Sequence, residues 1–353
     1  MMQELSLAAN PLTELLAVVV RQFQGLFDLN GRIGLVFILL SYSVAYLLYR
    51  RRRLSSGSAS FWQFIGGRQV LLHPSALLDY RYYFVRALLR VLLIVPVIGL
   101  VDPYVLHSAD YMAFFTNLWG ARPQLGENLG LSLLYGLGVF LINDFASYWT
   151  HRAFHSRWLW EFHKVHHVAP VLVPLTASRV HVVEKLADSL LTLVLLGAYS
   201  GTFWYLCGGE ISRYTLFGVT YLVFIFNCLA ANLRHTHIWL SFGPRLEHLL
   251  NSPAQHQIHH SDAPHHFHKN FGTNLSIWDW MFGTLYTTTH TPEPLSFGTA
   301  EQHQIHHSDA PHHLGLGDAH RYQSLYSLIV LPFIDTARKA LHSIEGRSLR
   351  RRA

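Results

Sequence analysis

Histidine is concentrated in one part of the chain, and its spacing is the feature most able to carry chemistry. Of the 25 histidines, 22 lie between His151 and His320. His151 and His155 are four residues apart, so on a helix their rings share one face. The segments HKVHH at 163–167 and HQIHH at 256–260 repeat an i, i+3, i+4 spacing. The eight rings placed in this way are His151, His155, His163, His166, His167, His256, His259 and His260.

Metal binding accounts for this crowding better than solvated or core histidines do. Protonated rings packed together repel, and buried rings without partners are costly, whereas coordination removes both problems. Imidazole suits Zn, Cu, Fe and Ni. A structural zinc takes about four ligands, so eight imidazoles indicate two metal ions. The HExxH pattern of zinc proteases is absent. Two closely placed irons could split dioxygen and attack an unactivated C–H bond.

The composition indicates that a membrane surrounds this site. Of the 353 residues, 50% are hydrophobic and only 14% are charged, against roughly 25% charged in soluble domains. The aromatic content of 14% excludes disorder, and two cysteines exclude a disulfide framework or a cysteine-rich metal site. The net charge of +6 comes from Lys and Arg clusters beside apolar runs. This pattern favours orientation in a membrane over nucleic-acid binding.

A transmembrane helix needs about 20 mostly apolar residues. The segments 189–209 and 214–233 have no charged residue and fit best. The predicted spans 33–49 and 129–143 are shorter, and the weakest, 84–106, has charged residues near its ends. The segment 12–27 carries Arg21 and is expected to form an interfacial helix instead.

Basic residues predict the orientation of these spans. Four arginines at 50–53 put the end of the first span in the cytoplasm. Because successive spans cross the membrane in opposite directions, residues 148–185 and everything after 233 are expected on the same, cytoplasmic side. Two crossings between the histidine clusters return the chain to one face, even if the earlier spans are misjudged. We therefore expect a helical, histidine-rich cap on the cytosolic side.

Taken together, the motifs resemble the fatty acid hydroxylase/sterol desaturase superfamily over roughly residues 130–290. They are NDFASYWTHRAFH at 143–155, HKVHH at 163–167, SPAQHQIHHS at 252–261, NFG at 270–272 and WDWMFGT at 278–284. The resemblance implies an integral-membrane, histidine-ligated di-iron oxygenase that uses dioxygen and external electrons. It carries the eight histidines over as metal ligands.

Three further histidines match family positions and are expected to be ligands as well. His235 is followed two residues on by His237, where the family usually has asparagine. His181 is followed by Val182 in place of the family's proline. His266 lies where the family often has a histidine before the Asn-(Tyr/Phe)-Gly motif.

Two carboxylates complete the set of candidate residues. Asp144 lies seven residues before His151, two turns along the same helix face. It is expected either to bind metal or support a ligand, or else to cap a helix or pair with an arginine. Glu184 lies three residues after His181 and could accept its ring N–H, as carboxylates beside metal ligands do. The alternative for Glu184 is a solvated helix end.

A twelve-residue histidine segment occurs twice. QHQIHHSDAPHH is found at 255–266 and again at 302–313. The first copy is followed by the NFG and WDW motifs, and the second runs into LGLG at 314–317. We therefore assign the metal site to the first copy. For the second copy, a peripheral metal-binding loop is the functional alternative.

The predicted fold is all-α and integral to the membrane. It has about five transmembrane helices (four to five) and a cytosolic helical cap that holds a di-metal site. We expect an N-terminal membrane region at 1–128, a catalytic domain at 129–290 and a cytosolic tail at 291–353. A bacterial inner membrane is the expected location.

The predicted activity is hydroxylation or desaturation of a membrane lipid by two iron ions, with zinc expected after overexpression. The electron donor would be an external ferredoxin, rubredoxin or cytochrome, and no nucleic acid is involved. The alternative is a non-catalytic metal-binding or metal-transport protein. Transport is disfavoured because 189–209 and 214–233 contain no ionisable groups except cysteine and tyrosine.

Overall fold

The computed structural model describes residues 33–56, 60–216, 219–229, 231–298 and 321–350, with scattered positions between 17 and 29. The histidine motifs at 151–167 and 256–260 lie within these residues. The predicted interfacial helix at 12–27 lies largely outside the described residues. The second histidine segment at 302–313 lies wholly outside them.

Helices dominate the described part of the chain. In chain order they are α1 (Leu35–Ser56), α2 (Phe61–Phe64), α3 (Gly67–Leu71), α4 (Pro74–Leu89), α5 (Val95–Val101), α6 (Ser108–Trp119), α7 (Leu129–Phe154), α8 (Trp160–His167), α9 (Val182–Cys207), α10 (Tyr221–Cys228), α11 (Pro253–His260), α12 (Ile277–Met281) and α13 (Leu325–Arg350). A π-turn at Arg90–Ile94 joins α4 to α5, and 3₁₀ turns lie at Asp102–Tyr104, Pro174–Ser178, Ala231–His235, Leu246–His248 and Pro264–His266.

Three helical stretches among the described residues are long and apolar enough to cross a bilayer. They are Pro74–Trp119, Leu129–Phe154 and Val182–Cys207. The predicted spans at 84–106, 129–143 and 189–209 lie inside or largely inside these stretches. The chain is therefore a membrane protein, as its composition predicts.

The other two predicted spans, 33–49 and 214–233, are not among these three stretches, so the predicted count of about five is not confirmed. Residues 33–49 do enter α1, but the arginines from Arg50 onward leave a short apolar stretch for a full crossing. Residues 214–233 are not one helix. They form an antiparallel hairpin of β1 (Thr215–Leu216) and β2 (Val219–Thr220), followed by the short α10. The β-branched residues of this hairpin favour extended backbone.

After α9, the chain nevertheless runs back along α7, towards the end of the molecule at which α9 begins. Gly208 ends α9 with a φ of +70°, and a side chain there would clash with the Pro123 carbonyl. On the return path, the Tyr221 hydroxyl donates to the Leu133 carbonyl at 3.1 Å. Further along, the rings of Phe140 and Phe226 stack with centroids 5.0 Å apart. The expected meeting of the two histidine clusters therefore survives the misjudged span.

The C-terminal helix α13 packs on the histidine-bearing part of the chain. An apolar cluster joins α4, α8 and α13 through Leu78, Tyr82, Val165, Val168, Tyr322 and Leu328. Glu161 of α8 pairs with Lys164 at 2.5 Å and also with Lys339 of α13. These contacts cover the outer face of α8 and hold its opposite face towards α11.

Candidate metal centre

Short buried helices position most of the histidines. His151 lies in the last turn of α7, and His155 ends this helix. Every residue of α8 and of α11 is buried. α11 begins with a capping box, in which Ser252 accepts from the Gln255 amide, and it has Pro253 in its first turn. The rings of α8 and α11 therefore face each other in the interior.

Nine histidines form two adjacent groups. In each group, one ring nitrogen from every member lies within 4.8 Å of the others. The five-histidine group contains His151, His155, His163, His167 and His259, and the four-histidine group contains His166, His235, His256 and His260. All eight histidines of the spaced motifs are present, together with His235. The groups adjoin, since the ring centroids of His167 and His260 are 4.6 Å apart.

Hydrogen bonds fix which nitrogen several rings present. The Nδ1 of His151 lies 2.7 Å from the Phe271 carbonyl, and the Nδ1 of His259 lies 2.8 Å from the Lys269 carbonyl. A carbonyl oxygen only accepts, so both Nδ1 atoms carry the hydrogen. The Nδ1 of His163 donates in the same way to Glu184 at 2.8 Å. The Nε2 atoms of these three rings are left with lone pairs.

The Nε2 atoms lie close together although their rings carry the hydrogen on Nδ1, so no hydrogen atom is left to bridge them. The Nε2 atoms of His151 and His163 are 3.1 Å apart. The Nε2 of His259 is buried and has no hydrogen-bond partner. A cation that accepts these lone pairs would satisfy all three rings.

The four-histidine group has similarly short distances between its ring nitrogens. Its Nε2 atoms are separated by 3.0 Å for His256 and His235, 3.1 Å for His260 and His256, and 3.3 Å for His235 and His166. With metal–nitrogen bonds of about 2.0–2.1 Å, neighbouring ligand atoms come to lie roughly 2.9–3.4 Å apart, according to the coordination geometry. The donor type and the spacing of both groups therefore fit metal ions.

Burial favours the neutral form of four of these imidazoles, which is the form that binds metal. Desolvation lowers the pKa of His259 to about 3. Desolvation, followed by repulsion from neighbouring rings, holds the pKa values of His167, His256 and His260 well below the ordinary value of 6.5.

Two predicted ligands lie outside both groups. His181 caps α9, where its Nδ1 accepts from the Val183 amide at 3.2 Å, and its Nε2 donates to the Ile329 carbonyl of α13 at 3.0 Å. His266 belongs to a separate cluster with His265 and Glu293. His237, whose role the sequence leaves open, accepts from the Leu172 amide at 3.2 Å.

The two candidate carboxylates hold different parts of the centre. Asp144 accepts from the amides of Asn274 and Leu275 at 2.9 and 3.1 Å and from the Trp278 indole at 3.0 Å. It therefore anchors the segment after the NFG motif to α7 and touches no histidine of either group. Glu184 does accept a ring N–H, but from His163 rather than from His181, which the sequence suggested.

Sequence reasoning missed the backbone support of the rings. Asp279 accepts from the Phe271 and Gly272 amides, both at 2.8 Å, and so fixes the carbonyl that holds His151. Burial raises the pKa of Asp279 to about 6. Asn270 has a φ of +57°, which suits asparagine, and its side chain donates to the Gln255 carbonyl of α11 at 3.1 Å. The NFG and WDW motifs were the signal for this support.

Comparison with known proteins finds a family match over the residues that carry both histidine groups. Residues 136–284 match the fatty acid hydroxylase family. An alkylglycerol monooxygenase of Danio rerio is 32% identical over 147 residues, which cover 41% of this chain and 29% of that protein. The ornithine lipid hydroxylase OlsE of Rhizobium tropici is 29% identical over 189 residues, which cover 52% of this chain and 49% of that protein.

A third enzyme is also similar to part of the chain. The very-long-chain aldehyde decarbonylase GL1-6 of Oryza sativa subsp. indica is 29% identical over 152 residues, which cover 40% of this chain and 21% of that protein. The chain thus spans less than half the length of these relatives. No solved structure matches it. The matched residues include all nine clustered histidines, so the part of the chain that holds both groups, residues 136–284, is the part that matches the fatty acid hydroxylase family.

Proposed function

We propose that the chain is a membrane-bound di-iron oxygenase that hydroxylates a lipid. The observation that carries the proposal is the pair of adjacent imidazole groups, largely buried and with closely spaced ring nitrogens, at the end of two apolar spans. Relatives named alkylglycerol monooxygenase and ornithine lipid hydroxylase support insertion of oxygen into a lipid. Iron is chosen over zinc because zinc has no redox chemistry.

The chemistry that two bound iron ions would supply is reductive activation of dioxygen and transfer of one oxygen atom into a C–H bond. The reaction balances as R–H + O₂ + 2e⁻ + 2H⁺ giving R–OH + H₂O. The two electrons come from an external donor of the ferredoxin, rubredoxin or cytochrome type. The five-histidine and four-histidine groups would each hold one ion.

The protein side chains orient the rings and exclude water. Glu184 and the carbonyls of Lys269 and Phe271 hold three rings by their Nδ1 atoms. The Phe271 ring packs against His155 with centroids 4.9 Å apart, and Trp160 covers His155 from another direction at 5.1 Å. Apolar walls of this kind keep water from competing with the lipid.

A cavity of about 270 Å³ beside α7 is the proposed approach for the substrate. Val139 and Phe140 line it together with the polar side chains of Asn143 and Thr273. Asn143 lies eight residues before His151, or about 12 Å along the helix. The lipid would thus enter from the membrane side of the proposed centre. We place this centre on the cytoplasmic face of a bacterial inner membrane.

Oxygen isotope labelling of lipids tests this function. Membranes containing the protein are supplied with reductant and ¹⁸O₂, and lipids are analysed by mass spectrometry. Membranes that carry a His151→Ala/His163→Ala variant serve as the control. A lipid that gains one ¹⁸O atom only with the unaltered protein is expected. Loss of two hydrogens without oxygen gain would indicate desaturation instead. The absence of any dioxygen-dependent lipid change would contradict the proposal and favour a non-catalytic metal-binding role.

A further inference from the structure

A third cluster of ligand-type side chains lies apart from the two histidine groups. It consists of His265, His266 and Glu293, each of which offers one atom within 4.8 Å of the others. The Nε2 of His266 is 3.3 Å from the Glu293 carboxylate, and the centroids of the two histidine rings are 4.0 Å apart. None of the three belongs to the five-histidine or four-histidine group.

His266 is the member that most needs a ligand. Its side chain is only 2% exposed, its Nδ1 makes no hydrogen bond, and its Nε2 faces the Glu293 carboxylate at 3.3 Å. A buried polar group left unsatisfied is costly, which makes a bound cation the simplest explanation for its position.

The backbone around the cluster is held in place. Ser261 and Phe297 form a β-bridge, and the Asp262 amide donates to the Ser296 carbonyl at 3.1 Å. These contacts fix the segment that carries Glu293 against the end of α11. The Tyr286 hydroxyl donates to the Glu293 carboxylate at 3.2 Å and orients it. The donor atoms are therefore positioned before any ligand arrives.

We propose that His265, His266 and Glu293 bind one divalent first-row transition metal ion at a mononuclear site. Two imidazoles and one carboxylate form the ligand set of several zinc sites and of non-haem iron sites with open positions. Glu293 is 28% exposed and His265 is exposed, so the ion exchanges with solvent and keeps open positions. It ties the Glu293 segment to the turn at Pro264–His266. The inference does not depend on the proposed oxygenase activity.

Metal counting with matched variants tests this site. The full-length protein, purified without a polyhistidine tag, is loaded with Zn²⁺, separated from free metal by gel filtration and analysed by mass spectrometry. The variants are His265→Ala/Glu293→Gln and His265→Ala alone. The control is His290→Ala, which alters an exposed histidine of the same region. All four proteins retain the histidines at 302–313, so these residues cannot cause a difference between them.

The double variant is expected to hold one ion fewer per chain than both the unaltered protein and the His290→Ala control. The single variant, altered only at an exposed residue, is expected to bind its last Zn²⁺ at least tenfold more weakly. Equal metal content and affinity in all four proteins would overturn the proposal. Loss of more than one ion by the double variant would also overturn it, because the three residues would then belong to a shared centre.

Discussion

Single hydrogen bonds decide which nitrogen each histidine presents to the proposed centre. The partners of His151 and His259 are main-chain carbonyls, which no pattern of side chains could reveal. The partner of His163 is Glu184, one of the two carboxylates selected from sequence. Its candidate role was predictable from the residue type, but its partner was not. His163 and His181 precede Glu184 on different elements, and only the fold decides between them.

Replacing Glu184 by glutamine tests the support of His163. The amide keeps the size but removes the charge that strengthens the bond to the ring N–H. We expect metal affinity or activity to fall about 10- to 100-fold. Asp188→Asn is the matched control, since Asp188 lies one turn further along α9 and pairs with Lys185 and Ser147. Equal losses in both variants, measured by competition with a chelator, would contradict the assignment.

Asp144 is expected to affect folding more than metal binding. Asp144→Asn places an amide NH₂ among three donors, so at least one of them loses its acceptor. Leaving such a buried donor unsatisfied lowers the free energy of unfolding by about 1–3 kcal/mol. Denaturation in detergent measures this loss, with Ser132→Ala on the same helix as the control. Full stability combined with loss of metal would instead make Asp144 part of the metal site.

At the scale of elements, helical spacing was the reliable guide. The i, i+3, i+4 rows of α8 and α11 were predictable because a helix puts these positions on one side. The structure adds that each row is divided between the two groups: His163 and His167 face one group and His166 the other. The stretch at 214–233 was misjudged because an apolar run without charges fits helical and extended backbone alike.

The duplicated segment provides a test at this scale. His259→Ala/His260→Ala should abolish activity, because it removes one ring from each group. His306→Ala/His307→Ala should leave most activity, since the sequence after the second copy lacks the NFG and WDW motifs, whose Asn270 and Asp279 hold α11 and its neighbours after the first copy. Both variants must be inserted into membranes at equal levels. An active first variant beside an inactive second one would move the metal site to the second copy.

At the scale of the whole molecule, the topology brings distant parts of the chain to one end. His151 precedes α9 and His256 follows the return path, yet both lie in one centre. Composition was enough to predict a membrane protein, and the apolar stretch between the histidine clusters was enough to predict that they meet. The cytoplasmic facing, which rests on the arginines, stays a prediction. The number of spans was not predictable, because tertiary contacts along α7 shelter a hairpin that sequence reasoning reads as a crossing.

Cysteine labelling tests the predicted cytoplasmic face. Ser156→Cys and Thr291→Cys occupy exposed positions on either side of the return path, in a chain with Cys207 and Cys228 replaced by serine. An impermeant thiol reagent should label both only after the cells are opened. Gln124→Cys, in the loop expected outside, should label in intact cells. Labelling of Ser156→Cys and Thr291→Cys from opposite faces would exclude a single centre on one face.

The most direct test of the central claim is a map of iron positions in the intact protein. Crystals of the iron-loaded chain would be measured at the iron absorption edge. Within the nine clustered histidines, the account predicts two strong anomalous peaks, one among His151, His155, His163, His167 and His259, and the other among His166, His235, His256 and His260. A single peak in this region, or iron bound only elsewhere in the chain, would contradict the proposal that these nine histidines hold a di-iron centre.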